Sequence, residues 1–115
     1  MDKISNLGFL KDFTGGDKAK MEKYINMFLK NIPGLLGKID EHLAAKDWQN
    51  LKVSIHSIKP QLTFMGAKEA SSFAQSIESD LSNNKDLDTV PERVASLKST
   101  VQQLISELSG EAANL

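Results

Sequence analysis

Cysteine is absent from this 115-residue chain, and several other features are scarce or missing. Without cysteine there is neither a disulfide framework nor a thiolate zinc site, and the composition fits a reducing compartment. The net charge is −1, and the 14 lysines and arginines are spread along the chain. Nucleic-acid binding normally requires a basic stripe or patch. The composition therefore argues against disulfide-stapled and nucleic-acid-binding classes.

Long apolar runs are missing as well. Residues 1–16 hold no uninterrupted apolar stretch of signal-peptide length, and no later segment could span a bilayer. There is no Glu-x-x-His pair of the kind that binds metals in helical bundles, no visible Ser/His/Asp arrangement and no ATP site. We expect a cytoplasmic protein, complete as a single domain over residues 1–115 with its core at about 4–109. We expect no membrane association, no cofactor or metal of its own, and no autonomous kinase activity.

Apolar residues recur every three or four positions almost throughout, which is the spacing of amphipathic helices, and alternating β-branched runs are absent. Breaks at Gly15-Gly16, Lys46-Asp47, Gly66 and residues 82–88 divide this pattern into one short and four longer segments. The second segment keeps its phase across Pro33-Gly34, which predicts one long kinked helix. Short connections between long helices predict an all-α fold, an antiparallel up-and-down four-helix bundle with a short additional N-terminal helix.

One histidine stands out on the third predicted helix. At about 100° per residue, His56 falls outside the apolar stripe of that helix, which is formed by Trp48, Leu51, Ile55, Ile58 and Leu62. Lys52 lies one turn before His56 and Lys59 one turn after it, so we expect both ammonium groups to approach the imidazole and Lys59 to face solvent. Nearby positive charges keep the ring neutral and nucleophilic and can hold an anion. The pattern favours a residue that accepts a phosphoryl group, whereas His42 has no convincing partner and is expected at the surface.

Apolar side chains are predicted around this histidine. Val53, Pro60 and Phe64 point away from the core stripe and can form a rim on which a partner protein docks. Pro60 removes the backbone donor to the His56 carbonyl at a cost of about 3 kcal/mol, so a bend is expected just after His56. Two readings stay open here: Val53 and Phe64 pack against the first helix instead, and the proline is only a tolerated kink.

The stretch around the histidine resembles the signature of histidine-containing phosphotransfer (HPt) domains. In that signature a lysine follows the histidine after three residues and a glycine after ten, and it is matched by His56, Ile58, Lys59, Gly66 and Ala67. The segments Phe13–Asp17 and Lys46–Trp48 are similar to the family's layout, so the resemblance covers roughly residues 7–108. The chain departs from the signature at Pro60 and Gln61, where the family usually has glycine and a small hydroxyl residue.

This resemblance implies a role in two-component phosphorelays. His56 would accept a phosphoryl group and exchange it with an aspartate of a response-regulator receiver domain, while Lys59 stabilises the phosphate. Supporting roles would fall to Lys52, Gly66, Gln61 and Glu78. The partners would be a receiver domain, which brings the Mg²⁺, and a hybrid histidine kinase, and the chain would be a monomer. Two alternatives stay open: an HPt-like module that docks receiver domains without being phosphorylated, and a helical scaffold in which His56 has no role.

Overall fold

The computed structural model describes residues 4–113 and 115, and this part of the chain contains helices and no strand. The helices are α1 (Gly8–Thr14), α2 (Lys18–Ala44), α3 (Trp48–Phe64), α4 (Lys68–Ser82) and α5 (Val90–Ala113), with a 3-10 turn at Leu87–Thr89 before α5. The predicted all-α class, a four-helix bundle with a short additional N-terminal helix, is confirmed. The single-domain boundary of 1–115 stays a prediction.

Helices α2 to α5 form the bundle. Helix α2 packs against α3 and α5, and α4 packs against the same two, so the four helices close a ring. The short connections make helices that follow each other in the chain antiparallel. The molecule is elongated along the helices and measures 43 × 25 × 20 Å. Within the described residues, no helix is long and apolar enough to cross a membrane.

The core of the bundle is aliphatic, and it orients α3. Every bundle helix contributes side chains at helical spacing that are at most 1% exposed; they include Ile25, Ile32, Ile39, Leu51, Ile55, Ile58, Leu62, Ile77, Leu97, Val101, Leu104 and Leu108. Burying one such side chain stabilises the fold by about 1.5–3 kcal/mol. The α3 stripe thus holds one face of that helix inward and turns the opposite face toward solvent.

Short polar signals set the starts of α2 and α3. The carboxylates of Asp17 and Asp47 accept hydrogen bonds from the backbone N–H groups of Lys20 and Asn50, each at 3.2 Å. Both are N-cap interactions, and aspartate is among the residues that most favour this position. Pro33 lies inside a continuous α2, so the prediction of one long helix rather than two is also confirmed.

The first helix begins later along the chain than the apolar spacing predicts. The apolar pattern begins at Ile4, but α1 begins at Gly8, because residues 4–6 bind across the end of the bundle instead. The Asn6 N–H donates to the carbonyl of Met65 at 3.1 Å, and Gly66 beside it has a φ of 75° in the left-handed region. The segment therefore crosses the C-terminal end of α3, and α1, which follows it, packs alongside α2.

Candidate functional site

His56 lies near the middle of α3 on the side away from the core. Its neighbours Ile55 and Ile58 are fully buried, whereas the His56 side chain is 67% exposed. The helical spacing alone gives this orientation. A reactive ring at this position is accessible to another protein without any movement of the bundle.

A carboxylate from α4 reaches this imidazole. Oε2 of Glu78 lies 2.8 Å from Nδ1 of His56, and Oε1 lies 2.6 Å from Nζ of Lys59. Lys59 also donates a hydrogen bond to Oε1 of Gln75, one turn earlier on α4. These four residues, His56, Lys59, Gln75 and Glu78, form a network across α3 and α4 that we call the histidine cluster.

The protonation of the cluster follows from Glu78, whose side chain is 15% exposed. Burial alone would raise the pKa of its carboxyl, but the hydrogen bonds and charges of Lys59 and His56 outweigh burial and hold the pKa below its ordinary value. An ionised carboxylate can only accept hydrogen bonds. In the neutral ring, Nδ1 of His56 therefore carries the proton and donates a hydrogen bond to Glu78, and Nε2 keeps a free lone pair.

Lys59 differs from the expectation that it faces solvent. Its side chain is only 17% exposed, because the ammonium group is drawn against Glu78 and Gln75. The positive charge that the sequence places beside His56 is thus already paired with a negative one. Lys52, half-buried one turn before His56, takes no part in the ion pairs of the cluster.

Two predicted supporting residues lie away from the imidazole. Gln61 is half-buried and lines a groove between α2 and α3. Gly66 comes ten residues after His56, about 15 Å further along the helix axis, and packs against the backbone of Asn6. Of the four predicted supporting residues, the structure brings Glu78 to the ring and leaves Gln61 and Gly66 elsewhere, because each faces a different element.

The predicted apolar rim is only partly as expected. Val53 is 54% exposed and Pro60 is exposed, but Phe64 is half-buried. The Phe64 ring packs edge-on against three others, with centroid distances of 5.4–5.5 Å; these rings belong to Phe9, Phe13 and Tyr24. Phe64 therefore packs against the first helix, as the alternative reading has it, whereas Val53 stays exposed.

These four rings form an aromatic surface beside α3. Phe9 and Phe13 are 56% and 58% exposed, although both belong to the aromatic surface. A groove of about 290 Å³ adjoins it between α2 and α3, lined partly by Met27 and Pro60. Because Pro60 is one turn after His56, apolar surface continues from α1 to the edge of the histidine cluster.

His42 is not an isolated surface residue. Its Nδ1 lies 2.9 Å from Oγ of Ser54, whose side chain is only 5% exposed. The expectation that His42 has no partner was wrong, because it satisfies a buried hydroxyl between α2 and α3. This contact joins positions on two helices and leaves no mark in the local sequence.

Pro60→Ala is expected to raise the free energy of unfolding by about 1 kcal/mol or more, because alanine restores the backbone donor to the His56 carbonyl. Urea unfolding measures the change. Pro91→Ala is the matched control, since Pro91 occupies the first turn of α5 and its missing N–H would have no helical partner there. An unchanged or lower stability of Pro60→Ala would contradict the expected cost.

The lowered pKa of Glu78 predicts a pH-dependent contribution to stability. A carboxyl whose pKa is depressed by folding stabilises the protein above its unfolded pKa, and that stabilisation is lost as pH falls through the folded value. Between about pH 7 and about pH 3, the urea midpoint of the wild type should fall further than that of Glu78→Gln, whose amide does not titrate. Parallel pH profiles of the two proteins would show that Glu78 is not stabilised as its contacts indicate.

Comparison with known proteins agrees with this architecture. The family model of the Hpt domain matches residues 23–109, a stretch that includes α3 with His56 and α4 with Glu78. The solved HPT domain of the Hpt sensor hybrid histidine kinase from Shewanella has a similar fold, with a TM-score of 0.83, 17% sequence identity and coverage of 97% of this chain and 96% of that one. The search of curated proteins found no significant match. Since the family match covers more than half of the residues, this chain belongs to the Hpt domain family, the phosphotransfer domains of two-component systems.

Proposed function

We propose that this protein is a phosphorelay intermediate that accepts a phosphoryl group on Nε2 of His56. The exchange partner is an aspartate of a response-regulator receiver domain. The observation that carries the proposal is the 2.8 Å contact between Nδ1 and Glu78, because it leaves the lone pair of an exposed ring on Nε2. Membership of a family of phosphocarriers, which have no ATP site of their own, supports this class of reaction.

The transfer step requires no group beyond the two proteins and the receiver's metal ion. The lone pair of Nε2 attacks the phosphorus of the aspartyl phosphate, the N–P bond forms as the P–O bond breaks, and the aspartate leaves as a carboxylate. Nδ1 keeps its proton, so positive charge develops on the ring next to Glu78, which stabilises it. Phosphoryl transfer of this kind depends mainly on positioning and charge. Mg²⁺ is expected to come with the receiver domain, and this protein needs no cofactor.

Lys59 has a defined role in this scheme. In the unphosphorylated protein its ammonium lies 2.6 Å from Oε1 of Glu78. A phosphoryl group on Nε2 would add a second anion near the same carboxylate, and a lysine shared between the two offsets their repulsion. We propose that Lys59 stabilises the phosphorylated state in this way, from a position already held by Glu78 and Gln75.

We propose that the receiver domain docks over α1, α2 and α3. The exposed large apolar side chains of the described residues all belong to these helices; they are Phe9, Phe13, Met27 and Val53. An aspartyl phosphate can reach Nε2 only if the receiver covers the surroundings of His56, and the apolar surface continues up to that residue through Pro60. A hybrid histidine kinase is the expected source of the receiver, and we expect the protein to act as a monomer.

Val53→Glu is expected to weaken receiver binding by about tenfold or more, because it places a charge in the proposed interface. The urea midpoint should stay close to that of the wild type, since Val53 is 54% exposed. Calorimetric titration with the receiver measures the affinity, and Ala95→Glu, an exposed position on α5, is the matched control. Unchanged affinity would show that the interface lies elsewhere, and a large loss of stability would show that Val53 is required by the fold.

The proposal itself is tested by phosphoryl transfer. The protein is incubated with Mg²⁺ and a panel of radiolabelled phosphorylated receiver domains, and the label is expected to be acid-labile and base-stable. Phosphorus NMR should place it on Nε2 rather than Nδ1. Binding of a receiver without any label would favour the docking module. In that case Pro60, which stands where the family usually has glycine, would be the reason why phosphoryl transfer is lost. Neither label nor binding would favour the scaffold.

A further inference from the structure

Residues 4–6, which we call the N-terminal strap, are fastened to α5 by one carboxylate. Glu107 accepts hydrogen bonds from the Ile4 N–H at 3.0 Å to each of its oxygens, from the Ser5 N–H at 3.1 Å and from the Ser5 hydroxyl at 3.0 Å. Ser5 is only 8% exposed. A single side chain thus satisfies several polar groups of the strap, including both donors of a buried serine.

The other side of the strap lies against the end of α3. The Asn6 N–H donates to the Met65 carbonyl at 3.1 Å. A Cβ atom at Gly66 would lie 1.9 Å from the Asn6 carbonyl oxygen, so the strap approaches α3 more closely than any other residue at this position would permit. The strap is therefore held between α5 and α3, at the end of the bundle.

Helix α1 begins two residues after the strap, and its other contacts with the bundle are the side chain of Leu10 and the rings of Phe9 and Phe13. Oδ1 of Asn6 accepts from the Gly8 N–H at 2.9 Å, which joins the strap to the first residue of α1. The helix has 7 residues, well below the length at which an isolated helix is stable in water. Its one large, fully buried apolar side chain is Leu10, while Phe9 and Phe13 contact the bundle and remain more than half exposed. The strap is thus one of a small number of contacts that determine where α1 lies.

We propose that Glu107 is a positioning residue for partner docking: by fastening the strap it fixes α1, and with it the rings of Phe9 and Phe13 on the docking side. The link to docking rests on the proposed function; the link to α1 does not. Glu107 lies on α5, outside the histidine cluster and the aromatic surface. Its removal should therefore change how a receiver binds and leave the intrinsic reactivity of His56 unchanged.

Hydrogen exchange tests the first part. In Glu107→Gln, which keeps the size of the side chain and removes its charge, amides of residues 5–14 should exchange about tenfold faster or more, with unchanged protection across α2–α5. Ser5→Ala, which removes only the hydroxyl contact, should give a smaller increase in the same segment. Glu92→Gln, an exposed carboxylate on the same helix, is the control and should match the wild type.

Two phosphorylation measurements test the second part. Phosphoramidate, a small donor that needs no protein docking, should label His56 in Glu107→Gln at a rate within about twofold of the wild type, since the His56 ring is not moved. With the receiver that labels the wild type fastest in the panel, KM should rise about fivefold while kcat stays the same. A purely structural role would not separate these two constants.

Each outcome decides one part. Unchanged exchange in residues 5–14 would overturn the role of Glu107 in holding α1, and loss of protection throughout α2–α5 would make it a residue of general stability. Faster exchange with an unchanged KM would overturn the link to docking. If the wild type takes no label from phosphoramidate or from any receiver, the proposed function and the link to docking fail together. The exchange measurement would still show whether Glu107 fixes α1.

Discussion

His56→Gln is expected to abolish phosphoryl transfer while leaving the fold intact. Glutamine has no ring nitrogen, and the lone pair of its amide nitrogen is delocalised, so it cannot form the N–P bond. The loss of stability should be below about 1 kcal/mol, because His56 is 67% exposed and its contact to Glu78 is the interaction removed. The measurement is radiolabel transfer from the phosphorylated receiver, with circular dichroism to follow thermal unfolding.

The chain provides its own control for this experiment, since His42 is its other histidine. His42→Gln should accept label as the wild type does. It is expected to lose about 1 kcal/mol of stability, because the Ser54 hydroxyl that it contacts is only 5% exposed. Label that persists on His56→Gln, or that disappears from a folded His42→Gln, would show that our proposal assigns the phosphoryl group to the wrong residue.

Gly66→Ala is expected to destabilise the protein by about 3 kcal/mol or more, the largest stability change that we predict. Two effects add at this position. A φ of 75° is strained for any residue with a Cβ, and that Cβ would lie 1.9 Å from the Asn6 carbonyl oxygen. Because the obstacle is backbone rather than a mobile side chain, the strap must move away. Urea unfolding measures the loss.

Gly37→Ala is the matched control for this substitution. Gly37 lies inside α2, and a Cβ built there meets nothing within 4 Å. Alanine at this position should raise stability by about 0.5–1 kcal/mol, because glycine is a poor helix former. If Gly66→Ala were as stable as the wild type, the close approach of the strap to α3 would not exist in solution.

The parts of the fold that sequence predicts are those set by neighbours along the chain. Periodic apolar residues gave the four bundle helices, Asp17 and Asp47 gave two of their starts, and the 100° step turned His56 outward. The resemblance to HPt domains also came from residues close together on one helix, chiefly His56 and Lys59. Each of these features depends on spacing within a helix or on the residues at its ends.

The contacts between helices were not accessible in the same way. The resemblance to HPt domains implied a supporting role for Glu78, but its contact with His56, 22 residues earlier in the chain, depends on how α4 packs against α3. The same packing of α4 against α3 also partly buries Lys59, which helical spacing alone predicts to face solvent. The strap is more distant still, because Ile4 and Glu107 are 103 residues apart. No helical period relates such positions, since packing between elements decides which side chains meet.

The division of the site between helices has a consequence for how this protein can change. The histidine cluster lies on α3 and α4, whereas the exposed aromatic side chains lie on α1, and the strap before α1 is bound by a carboxylate of α5. In the proposed function, substitutions on α1 would therefore redirect the protein to another receiver domain while the His56 nucleophile and its tautomer are preserved. Partner choice and reactivity would then be separable traits in this bundle, open to independent selection and to independent engineering.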